Sequence, residues 1–110
     1  MTEITFYRNS DGDLTGFRAD GHAGYADEGE DIVCAAISAL VTNTVNSIEA
    51  FTDDEPDLDI DEEEAYIDLS FFEAPGEKAQ LLLKSLALGL EDIQSSEEAG
   101  GYIEVIYQEV

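Results

Sequence analysis

The chain has 110 residues, 44% of them hydrophobic, and a formal charge of −23 from 27 Asp and Glu against 4 Lys and Arg. That length suits a single domain, 1–110, with a real core and no room for a second, while four cations exclude nucleic-acid phosphate as a direct partner, since each phosphate contact wants a Lys or Arg; basic partners are favoured instead. No apolar run approaches the roughly 20 residues of a membrane span, Met1 to Arg8 lacks a signal-peptide pattern, and a single cysteine makes no internal disulfide, so no membrane and a reducing cytoplasm are expected.

In chain order, Met1 to Tyr7 reads as a strand with Ile4 and Phe6 on one face, and Asn9-Ser10-Asp11-Gly12 supplies residues that tolerate a tight turn. The returning arm is Leu14 to Asp20, where Gly16 and Gly21 weaken the strand or admit another backbone closely. Ala23 to Glu30 is an acidic, glycine-containing loop. From Asp31 to Phe51, the residues Val33, Ile37, Leu40, Thr44, Ile48 and Phe51 recur at spacings of three and four, which predicts an amphipathic helix, with Cys34 and Ser38 on a neighbouring face. An acidic run with Pro56 ends that helix. Leu58 and Ile60 then open a second hairpin, which turns at Asp61 to Glu64 and returns with Ala65, Ile67, Leu69 and Phe71 on its inner face. After Pro75-Gly76, the residues Ala79, Leu82, Leu86, Leu90 and Ile93 mark a second helix that stops before Gly100-Gly101, and Tyr102 to Tyr107 is the last strand. The order ββαββαβ predicts an α+β fold, a two-layer sandwich in which both helices cover one face of a largely antiparallel sheet.

Chemistry concentrates between Gly21 and Ser38, which hold the only histidine and the only cysteine. A helix that begins near Asp31 puts Cys34 in its first turn, where free N–H groups and the helix dipole favour thiolate over thiol. His22 then accepts the thiol proton and later protonates a leaving amine, and backbone N–H groups at the helix start are available to an oxyanion. Two roles are open to Asp31, capping the helix or orienting His22. Ser38, one turn after Cys34, bonds either the helix carbonyl behind it or a substrate group. The competing reading is bland: a lone cysteine on a helix is commonly an inert core residue, and a histidine beside glycines a turn residue.

The block Gly21-His22-Ala23, Tyr25-Ala26, Gly29, Asp31-Ile32-Val33-Cys34-Ala35-Ala36 and Ser38 resembles the signature of the bacterial ribosomal-processing cysteine protease (Prp) family. The resemblance extends over essentially the whole chain, including Leu88-Gly89-Leu90 and Tyr102-Ile103. It implies the ββαββαβ fold and an endopeptidase that trims a short N-terminal extension from a large-subunit ribosomal protein, cutting after an aromatic residue. On it, His22 and Cys34 match the catalytic pair, and Gly21, Asp31 and Ser38 match motif positions around them. The chain departs from the pattern at Gly100-Gly101, where relatives commonly carry a proline-containing turn, and in its acidity; neither departure touches His22 or Cys34.

No cofactor is expected, and no metal: one His and one Cys fall short of a zinc ligand set, and Asp57, Asp59 and Asp61 lack the glycine of a calcium loop. The alternative function is a non-catalytic acidic module that escorts a basic ribosomal protein. The charge itself reads either as steering of a basic substrate or as general solubility and adaptation to a saline environment. If both helices cover one sheet face, Tyr7, Tyr66, Phe72, Tyr102 and Ile106 form an aromatic patch on the other, which points to a homodimer.

Overall fold

The computed structural model describes residues 1–20 and 28–110, residues 28–31 through their backbone only. Strands β1 (Thr2–Arg8) and β2 (Leu14–Asp20) form the first hairpin, followed by helix α1 (Glu28–Phe51), the hairpin β3 (Asp57–Asp61) and β4 (Tyr66–Ser70), helix α2 (Glu77–Ser95), a short 3₁₀ turn (Gly100–Tyr102) and β5 (Ile103–Glu109). The sheet order is β3-β4-β2-β1-β5. All pairings are antiparallel except β1 with β5, which run parallel and share seven registered pairs from Thr2↔Ile103 to Arg8↔Glu109. The expected ββαββαβ order and α+β sandwich are therefore present, with a mixed sheet.

The first turn forms as its residues dictate. The Asn9 side chain accepts from the N–H groups of Asp11 and Asp13, both at 3.0 Å, and Gly12 takes φ +83. Beyond it, the β1–β2 register slips between Tyr7 and Arg8, so that Tyr7 faces Gly16 and Arg8 faces Leu14. This bulge turns the Leu14 side chain into the core. The same residue is held by Gln80 of α2, whose buried amide donates to the Leu14 carbonyl at 2.7 Å and accepts from its N–H at 3.1 Å.

Alternation along the strands sends Ile4 and Phe6, Phe17, Leu69 and Ile103 to one face, where α1 and α2 cover them with Val33, Ile37, Val41, Ile48, Leu83, Leu86 and Leu90. Gly89 allows the two helices to meet closely, since a Cβ there would lie 3.2 Å from the Leu40 Cδ1. The helical stripes differ from expectation in three places. Val41 rather than Leu40 is fully buried, and Phe51 at the end of α1 is 67% exposed; in α2, Leu83 takes the interior position that the spacing assigned to Leu82. The exchanges of Leu40 for Val41 and of Leu82 for Leu83 follow from the actual rotation of each helix about its axis, which spacings of three and four leave open by one residue. The stretch Ile32–Phe51 is also long and apolar enough for a membrane span by length and composition, contrary to the sequence expectation. Its Val33, Ile37, Val41 and Ile48 face is part of the domain core.

The open face of the sheet is not an aromatic patch. Tyr102 packs against the core on the helical side, and Phe72 lies beyond β4, 98% exposed. What the open face carries is a polar network centred on Arg18, which lies 4.0 Å from the Tyr66 ring centroid and pairs with Asp20 at 3.3 Å and Asp68 at 3.6 Å. Asp68 also accepts from the Tyr7 hydroxyl at 2.8 Å, and Asp59 from Tyr66 at 2.9 Å. Of the residues expected in the patch, Tyr7, Tyr66 and Ile106 do lie on this face, the two phenols within the polar network.

Two phenols give the fold a dependence on alkaline pH. Tyr7 is pushed from 10.0 up to about 12 by burial and by its bond to Asp68, and Tyr107, on the helical face, likewise to about 12 by burial and by its bond to Glu91. Unfolded phenols ionise near 10 while the folded ones hold their protons, so the stabilisation is complete below pH 10 and is lost as pH rises towards 12. Denaturant melts across that window should show the loss, and the Tyr7→Phe, Tyr107→Phe double variant should flatten it.

Candidate active site

Helix α1 begins at Glu28, three residues before the expected start. Asp31 is therefore the fourth helical residue and not the cap, and Cys34 is the seventh, in the second turn. The N–H groups without an intrahelical partner belong to Glu28 through Asp31, one turn ahead of Cys34. The dipole effect fades within the first turn, so the helix end contributes less to Cys34 than a first-turn position would.

What surrounds Cys34 is set by tertiary packing. Cys34 is free and 8% exposed, and it lines the wall of a cleft of about 280 Å³. On α1, Cys34, Ile37, Ser38 and Val41 follow the spacing of one helical face, and all four line this cleft. Opposite them stand Ala19 and Asp20 at the end of β2 and Ile60, Asp61, Glu62, Ala65, Tyr66 and Ile67 from the β3–β4 hairpin. The hairpin tip holds its shape through the Asp61 carboxylate, which accepts from the Glu64 N–H at 3.0 Å, and through Ala65 at φ 56. Pairing of Ala19 with Ile67, and of Ile67 with Ile60, brings the three strands side by side beneath the helix. The result is an apolar interior of Ile37, Val41, Ile60 and Ile67 with Asp20, Asp61 and Glu62 as the acidic residues of its lining.

Thr2 completes the site. It begins β1 in the inward row with Ile4 and Phe6, is 5% exposed, and its Oγ1 lies 3.8 Å from Cys34 Sγ. Sequence reasoning passed over it. The available signal was a hydroxyl in the core-facing row of β1, but nothing in the pattern says what it meets 32 residues away.

Of the residues singled out from sequence, Cys34 and Ser38 share the cleft, Ser38 exposed at its edge. Thr44 and Thr52 donate to the carbonyls of Leu40 and Ile48 behind them, whereas Ser38 makes no such bond among the described residues. Asp31 is described by its backbone alone, and His22 and Gly21 lie outside the described residues. Asp20, the last residue of β2, brings the chain to the cleft wall immediately before Gly21.

Cys34 thus stands at the wall of a cleft with a partly apolar interior. Residues 1–104 match the family described as cysteine protease Prp. The ribosomal processing cysteine protease Prp of Bacillus subtilis is 36% identical over 98 residues, covering 86% of this chain and 88% of that one. Among solved structures, the essential ribosomal processing protease Prp from S. aureus in complex with a substrate peptide superposes with TM-score 0.89 at 30% identity, covering 98% of this chain and all of that one. The same protease with a covalently linked product peptide superposes with TM-score 0.86.

Proposed function

The chain belongs to the cysteine protease Prp family and is a cysteine protease, and from that premise we propose that it removes a short N-terminal extension from a basic large-subunit ribosomal protein in a reducing cytoplasm, with Cys34 as nucleophile and His22 as general base and acid. The observation that carries this reading is the position of Cys34 at the wall of the apolar cleft. In the proposed cycle His22 takes the thiol proton, Sγ bonds to the scissile carbonyl carbon, the C–N bond breaks, and His22 returns the proton to the departing amine. Water then splits the thioester, releasing the new carboxylate and the thiol. Ile37, Val41, Ile60 and Ile67 suit an aromatic side chain beside the scissile bond, and Asp61 and Glu62 suit a cationic one nearby.

Relatives named as ribosomal processing proteases support this substrate class. The test is incubation with a mixture of large-subunit ribosomal proteins, followed by mass spectrometry for one shortened N-terminus. The charge of −23 adds a quantitative expectation. kcat/KM for the basic protein should drop steeply as salt rises, from an on-rate advantage on the order of 10 to 10³, whereas a short neutral peptide with the same scissile sequence should be indifferent. Equal gains for both substrates with salt, in parallel with thermal stability, would assign the acidity to the fold and its environment.

A further inference from the structure

Among the described residues, three polar side chains are buried: Thr2, Thr44 and Gln80. Thr44 and Gln80 satisfy themselves on backbone groups. Thr2 differs, because its one hydrogen-bond contact is the Cys34 sulfur at 3.8 Å, a distance that suits the large radius of sulfur. A buried hydroxyl is retained at a cost unless it has a partner, and valine would fill the same space without that cost. We propose that Thr2 is a positioning residue for Cys34, its hydroxyl donating to the sulfur so as to hold it at the cleft wall and favour the thiolate.

The direction of the bond follows from chemistry. With a neutral thiol either group can donate, but a thiolate only accepts, so ionisation locks the Thr2 O–H onto Sγ. A hydrogen bond to the charged form favours that form. Thr2 is anchored for this role by the β1–β5 ladder, in register with Ile103, so the donor is fixed before the thiol ionises. The other titratable residues at the cleft are Asp61 and Glu62 of the β3–β4 hairpin, with Glu30 and Asp31 preceding Cys34 in α1; Asp20 and Tyr66 border it while their side chains engage Arg18 on the open face of the sheet. The carboxylates oppose the thiolate by like-charge repulsion. With the helix end a full turn away, Thr2, the sulfur's hydrogen-bond partner among the described residues, acts against them.

The role in turnover rests on Cys34 being the nucleophile; the primary readout does not. Iodoacetamide alkylation of Cys34 against pH, at fixed ionic strength, should show its midpoint rise by about one pH unit in Thr2→Val and stay near the wild-type value in Thr2→Ser, the size expected of one hydrogen bond to a charged group. Below both midpoints kcat/KM for a peptide substrate should fall about tenfold in Thr2→Val, and the gap should close above them, which a packing defect would not produce. An unchanged midpoint in Thr2→Val, or an equal rise in Thr2→Ser, overturns the proposal. Cys34→Ala in the same peptide assay tests the nucleophile assignment separately: retained turnover rejects that assignment and any part of Thr2 in catalysis, whatever the alkylation shows.

Discussion

Replacing Cys34 with alanine is expected to lower peptide cleavage by roughly 10⁴-fold or more while the protein remains folded. The magnitude follows from covalent catalysis, in which loss of the nucleophile removes the step that the base and the oxyanion donors serve, so that little of their contribution survives alone. The fold should tolerate the change. Cys34 is small and sits at a cleft wall rather than in the fully buried layer of Ile4, Phe6, Phe17 and Leu83. Removing one sulfur and leaving the Thr2 hydroxyl without its partner should cost about 1–2 kcal/mol together. Single-turnover cleavage of a labelled peptide and a thermal melt give the two quantities, and peptide binding by the inactive variant gives a third. A protease should keep the binding and lose the cleavage. Cleavage retained within a few-fold of wild type would remove Cys34 from the mechanism, and unfolding of the variant would make it a structural cysteine instead.

The second large effect is on the sheet. Gly16 lies at φ +155, in the β2 position facing Ser70 of β4, and a Cβ there would lie 2.2 Å from the Leu69 carbonyl oxygen and 2.8 Å from Ser70 Cα. Both obstacles are backbone, so neither can swing aside as a side chain would. Gly16→Ala must either rotate the residue out of its conformation or separate β2 from β4, at a cost of roughly 3 kcal/mol from strain and overpacking combined, which for a domain of this size corresponds to a melting temperature lower by roughly 10–20 °C. The same strand pair holds Ala19 against Ile67 at the cleft. Activity should therefore decline with stability, and cooling should restore part of it. A melting temperature within a few degrees of wild type would show that the β2–β4 contact relaxes more easily than this geometry allows.

Hydrophobic periodicity by itself determined much of the fold. The Leu14 to Asp20 strand, the Asn9 to Gly12 turn and the alternation of Ile67 and Leu69 stand where spacing places them, and two helices form in the expected stretches, because each depends on interactions within a few residues. The block from Gly21 to Ser38 pointed to Cys34 and to the Prp family for a related reason: a nucleophile and its neighbours are a local pattern. Four things were decided only by the tertiary structure. The parallel pairing of β1 with β5 joins residues about a hundred positions apart, which no local signal encodes. Val41 displaced Leu40 and Leu83 displaced Leu82 in the interior because packing, not spacing, sets the rotation of a helix. Helix α1 runs back to Glu28 although Asp31 offers a good cap, since capping preference is worth only about 1 kcal/mol and yields to continued helical hydrogen bonding. Finally, the cleft exists because three strands and a helix converge on Cys34, and Thr2 reaches the sulfur only through that convergence; in sequence it is merely a threonine at the start of a strand.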